Sequence, residues 1–175
     1  MKLLIRIISS IIALFHLSNT FSQENGWMVN LDIADTDVLA EIITTSKISI
    51  SNYSNPEKIY PELSFFCEKN NSEISLKINW KRFISSFRNT EIGIKADNNE
   101  IKWMKFNLDK SGEITYLKSS KKLNNLIDNL SNKKLLILEA EPYSEPSITI
   151  DFDITELKKY LKELNNLCNN WNITP

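Results

Sequence analysis

The chain has 175 residues, 21 basic and 22 acidic, for a formal net charge of −1, and it contains one histidine. This length fits one domain able to bury a core of its own. The near-neutral balance excludes a nucleic-acid holder, because phosphate binding needs a concentrated basic surface.

At the start, Lys2 and Arg6 precede an apolar run, Ile7 to Leu17, broken only by Ser9, Ser10 and His16. Thr20-Phe21-Ser22 then places small residues three and one positions before a cut ahead of Gln23. This is the layout of a secretory signal, so residues 1–22 are expected to be removed and residues 23–175 to form a single exported, periplasmic domain. The alternative is a retained anchor, but the run falls well short of the roughly 20 residues that cross a bilayer. No stable membrane anchor is expected after cleavage. Export would also remove His16 and leave the domain without histidine. That eliminates Ser-His-Asp and Cys-His arrangements and most catalytic metal sites. The expectation is no enzyme, no cofactor and no metal.

Further along, Trp27 to Ile33 alternates with period two, and Val38 to Thr45 is rich in β-branched residues. Both read as strands. Asn52 to Pro61 collects Asn, Ser and Pro and reads as a loop. Glu62 to Cys67 and Glu73 to Trp80 are strands, the second with Ile74, Leu76, Ile78 and Trp80 on one face. Glu91 to Ala96 and Ile101 to Leu108 flank the turn Asp97-Asn98-Asn99, and Ile114 to Leu117 follows a turn at Gly112. Ser119 or Ser120 can cap a helix with the stripe Leu123, Leu126, Ile127, Leu130. Lys134 to Ala140 and Ser147 to Phe152 are two more strands. Ile154, Leu157, Leu161, Leu164 and Cys168 then recur at helical spacing, so a final helix buries this stripe. The expected fold is mainly β with two α-helices near 119–130 and 154–168. It is an antiparallel sandwich-like domain of two layers, about seven or eight strands in all.

Cys67 and Cys168 are the only cysteines. In an oxidising compartment an even pair favours a bridge; zinc would want more ligands than two thiols supply without histidine. Such a disulfide would fasten the last helix to the sheet.

Other chemical signals are weaker. Ser119-Ser120-Lys121-Lys122 matches S-x-x-K in form, but its companion elements are misplaced or missing, and a helix cap explains it better. Asp32, Asp35 and Asp37 lack the glycine and glutamate of a calcium loop. Glu139 and Glu141 share a strand face, as do Asp151 and Asp153, which imitate a glycosidase pair. Asp153-Ile154-Thr155-Glu156 reads more simply as a capping box. Trp27, Trp80 and Trp103 read as core. Trp171, past the last helix, is the first candidate for ligand or partner contact, and Trp103 the second.

The order of elements resembles a known family. Gly26-Trp27-x-Val29 opens the series, and Pro61-x-Leu63 leads to Cys67. Glu73 to Trp80, Ile92-x-Ile94-Lys95-x-Asp97, and Trp103 with Phe106 and Asp109 follow. Pro142-Tyr143-x-x-Pro146 through Phe152-Asp153 and a helix ending at Cys168 close it. This pattern resembles the VasI/TagO family of periplasmic proteins associated with type VI secretion in Gram-negative bacteria. Thr155-Glu156-Leu157 and Asn169 depart from the glycines usual there. The resemblance implies an accessory role through contacts with other envelope or secretion-apparatus proteins, without established enzymatic activity. A cell-wall or glycan-binding module is the alternative, and a hydrolase relying on the carboxylate pairs is a third possibility.

Overall fold

The computed structural model describes residues 21–24, 26–31, 33–34, 36–52 and 55–170. In chain order its elements are β1 (Phe21–Glu24), β2 (Trp27–Leu31), β3 (Val38–Thr45), β4 (Ile50–Asn52), β5 (Asn55–Ile59), β6 (Glu62–Glu68) and β7 (Asn71–Asn79). Then come β8 (Asn89–Ala96), β9 (Lys102–Leu108), β10 (Ile114–Leu117), α1 (Lys121–Leu130), β11 (Leu135–Ala140), β12 (Ile148–Asp153) and α2 (Leu157–Asn170). The protein is mainly β with two helices. Ten strands form one sheet in the order β1-β2-β3-β6-β7-β10-β9-β8-β11-β12, with β4 and β5 as a separate hairpin. Every pairing is antiparallel.

The two expected layers are the two halves of this single sheet, which curls over on itself. Phe65 and Leu76 from one half line the same small apolar space as Ile94 and Leu138 from the other. The far edge returns to the end of β3, where the N–H of Lys47, two residues past that strand, donates to the Asp151 carbonyl at 3.2 Å. The curl follows from the pattern of side chains. In seven strands of the sheet one phase is apolar and buried: Trp27 and Val29, Ala40 and Ile42, Leu63, Phe65 and Cys67, Leu76 and Ile78, Ile92 and Ile94, Leu136 and Leu138, Ile150 and Phe152. A sheet with one uninterrupted apolar face must fold that face inward, or cover it.

This sheet does both. Helix α1 inserts Leu123, Leu126 and Leu130, and Ser120 caps it by accepting from the Leu123 N–H at 3.2 Å. Helix α2 lies across β3, β6 and β7 and buries Leu157, Tyr160, Leu161, Leu164 and Cys168. The Tyr160 ring stacks on Trp27 with centroids 5.9 Å apart. Two turns further on, Cys168 bonds Cys67, with 6.1 Å between their Cα atoms. Cys67 faces Ala40 across the sheet, whose small side chain leaves room for the bridge. The expected disulfide and helix docking are therefore present together.

Several expectations need correction. There are more strands than seven or eight. The segment 52–61, read as loop, includes most of the β4–β5 hairpin. The segment read as the cleavage site overlaps β1. Helix α2 starts at Leu157, and Asp153 does not close a reciprocal capping box. Its carboxylate accepts from the Thr155 N–H at 3.1 Å and the Thr155 hydroxyl at 2.7 Å, which turns the chain before the helix begins.

Candidate functional site

The antiparallel order gathers four loops at one end of the curled sheet: residues 46–61, 80–88, 109–113 and 141–147. Thr45 pairs with Glu62, Glu62 with Asn79, Ile114 with Asn79, and Ala140 with both Ile92 and Ile148. The 80–88 loop is held by its own buried residues. Trp80 is fully buried and its Nε1–H donates to the Thr115 hydroxyl at 3.0 Å. Ile84 is fully buried, and its N–H donates to the Gly112 carbonyl at 2.8 Å. Gly112 takes φ +73°, and a Cβ there would fall 2.4 Å from the Ser85 carbonyl oxygen. Only glycine permits so close an approach.

Between those anchors Arg82 turns inward and is only 7% exposed. Its Nη1 donates to the Ser51 carbonyl at 2.7 Å, and its Nη2 donates to Glu145 Oε2. One cation thus ties the 46–61 and 141–147 loops to the 80–88 loop. Its Nε is buried and donates to nothing among the described residues, an omission that costs about 1–3 kcal/mol for a buried donor. Beside it opens a cavity of about 350 Å³, lined by Ser49, Ile50, Pro146, Ser147 and Thr149 with Arg82 and Glu145. Its volume is that of a small-ligand cleft.

The same end carries much of the exposed apolar surface. Phe87 is 69% exposed and Tyr143 81%, and Ile48, Tyr60 and Phe83 are also in contact with solvent. Lys81, next to Arg82, takes φ +55° and pairs with Glu62 at 2.5 Å.

The sequence-predicted residues are distributed differently. Cys67 and Cys168 form the bridge inside the protein. Trp171 lies outside the described residues. Trp27 and Trp80 are core as expected, but Trp103 is 42% exposed, which overturns its reading as core. The inward phase of β9 is set by Phe106 and Leu108; Trp103 and its phase-mate Ile101 point outward. There Trp103 stands opposite Gly93, and Gly93 stands opposite Glu139. Trp103 and the Arg82 cavity are separate features.

Among the carboxylates, Asp32 and Asp35 lie outside the described residues. Asp153 is engaged by Thr155 and by Lys47 at 3.0 Å. Those hydrogen bonds, and then the lysine, hold its carboxyl below the ordinary 3.8 against a smaller opposing effect of burial. Asp153 is therefore a turn-forming acceptor, whereas Asp151 Oδ1 is buried with no hydrogen-bond partner among the described residues. Among the described residues no cluster of three or more His, Cys, Asp or Glu could hold a metal. Sequence reasoning missed Arg82 and Glu145. The available signal was Lys81-Arg82-Phe83 through Phe87-Arg88, a connection rich in Arg and Phe where turn residues would be usual.

These features define a class: a mostly β domain with a disulfide-tied C-terminal helix and a loop end that is both apolar and polar. A solved structure of this fold is that of invasion associated protein B from Bartonella henselae. It superposes with a TM-score of 0.55 at 14% sequence identity, over 85% of this chain and 97% of that one. At that identity the likeness is one of fold. No protein-family model matches the chain, and no curated protein matches it.

Proposed function

We propose that this chain is an exported accessory protein of the bacterial envelope, acting by protein–protein contact within a type VI secretion system. The observation that carries the contact reading is the loop end of the sheet, where Ile48, Tyr60, Phe83, Phe87 and Tyr143 remain in solvent. Aromatic side chains presented by anchored loops are typical of interface anchors. The disulfide supports export, since such bridges form and persist in oxidising compartments. No helix among the described residues is long and apolar enough to cross a membrane. The secretion system itself rests on the sequence resemblance to the VasI/TagO family.

The test is genetic. Deleting the gene should reduce export of the secretion tube protein into the medium, and an allele with Phe83 and Phe87 both changed to Ser should fail to restore it. Normal tube-protein export from the deletion strain refutes the assignment.

The exposed indole of Trp103 favours one second reading, a glycan-binding module. Its solvent-facing ring beside the side-chain-free Gly93 offers a flat stacking surface. Sedimentation with purified peptidoglycan that is lost on Trp103→Ala supports this reading; an unretained wild-type protein removes it.

A further inference from the structure

Arg82 is built as a carboxylate receptor that its own chain fills only in part. A guanidinium offers a planar edge, Nε with Nη2, that matches the two oxygens of one carboxylate. Glu145 engages Nη2 through a single oxygen, and Nε is left without an acceptor. Nη1 is already committed to the Ser51 carbonyl, so it fixes the plane of the group and leaves the other edge directed at Glu145.

We propose that the cavity beside Arg82 binds the free C-terminal carboxylate of an extended polypeptide, and that Glu145 is an internal stand-in which the ligand displaces. This deepens the protein-contact reading and rests on it, but not on the secretion system. Four observations fit together. An incoming carboxylate takes both Nε and Nη2 and so completes the hydrogen bonding that Glu145 leaves unfinished. The exchange keeps the buried cation paired throughout, since one carboxylate replaces another. Glu145 has somewhere to go: its side chain is 28% exposed, and it lies between Ser144, at φ +60°, and Pro146. The cavity of about 350 Å³ has the volume of roughly twelve waters at ~30 Å³ each, and Ser49, Ser147 and Thr149 offer hydroxyls to peptide amides while Ile50 and Pro146 offer apolar surface.

The experiment uses the purified oxidised chain and a fluorescein-labelled pentapeptide library with varied last residues, prepared as free acids and as C-terminal amides, read by fluorescence polarisation. Some free acids should bind, with their amides weaker by about tenfold or more, the worth of one charge-assisted hydrogen bond. Glu145→Gln should bind the same acids several-fold more tightly, because the competing charge is gone. Arg82→Lys should lose binding while thermal melting reports whether it still folds; if it does not fold, the Glu145→Gln comparison decides alone. Equal binding of acids and amides, no binding by any peptide, or unchanged affinity in Glu145→Gln overturns the proposal and leaves the pair a structural clip. A soluble muropeptide preferred over every library peptide overturns the assignment to a protein terminus. These results are independent of the deletion phenotype, so either reading can fail without the other.

Discussion

Removing the Cys67–Cys168 bridge by the double change to Ala tests how the last helix is held. The cysteines are 101 residues apart in sequence. In the chain-entropy treatment a loop of that length restricts the unfolded state by about 4.7 kcal/mol at 25 °C. A single domain has roughly 5–15 kcal/mol of total stability, so the bridge accounts for a third or more of it. The helix retains the Trp27–Tyr160 stack and its buried leucines without the bridge, so the fold should persist in weakened form. Urea denaturation followed by Trp fluorescence should show the midpoint falling, with a drop in Tm of roughly 10–20 °C for a domain of this size. Because the effect operates on the unfolded chain, the dependence on urea should steepen once the cross-link is gone. A loss below ~1 kcal/mol with an unchanged slope refutes the reasoning. It would mean that the helix end frays freely and the bridge restrains little.

Gly112→Ala should cost about 2 kcal/mol or more, since it adds a Cβ at positive φ and against the Ser85 carbonyl; an unchanged melting temperature contradicts this. Trp80→Phe removes the donor to Thr115 deep in the core and should cost roughly 1–3 kcal/mol, whereas Trp103→Ala on the outer surface should stay within ~1 kcal/mol; the two denaturation midpoints provide the comparison. Asp97 is held below its ordinary 3.8 by the N–H groups of Leu135 and Lys134, with Lys133 adding attraction. Asp153 is likewise held below that value. A lowered folded value stabilises the protein fully above pH 3.8 and loses that contribution as the pH falls below it through the folded values. The acid limb of a stability profile should therefore be shallower in Asp97→Asn, and an identical limb argues against the assignment.

Most of the body was legible because the inward face of the sheet is almost uniformly apolar. Glu73 to Trp80 shows it in its simplest form, with period-two alternation and no competing signal. The last helix was legible for the same reason, since its stripe runs unbroken to Cys168. Trp103 is not recognisable as a surface residue from sequence, because the outward phase carries apolar residues of its own, Ile101 and Trp103, while Phe106 and Leu108 mark the inward phase. The β4–β5 hairpin is short and mostly polar, with Ile50 opposite Ile59 at its base, which leaves no alternation to see. The Arg82–Glu145 pair joins residues 63 positions apart. Nothing local to either residue reveals that contact, because it is made by the closing of the whole sheet.

The outermost strand, β1, has a consequence for maturation. It comprises Phe21–Glu24 and pairs with β2 through Phe21 opposite Val29 and Glu24 opposite Trp27. The proposed export cut after Ser22 runs through the middle of it. Processing would strip away Phe21 and Ser22, leave Glu24 opposite Trp27, and uncover main-chain groups around Val29, giving the trimmed protein a short open rim there. A neighbour supplying an extended segment of its own could then continue the sheet.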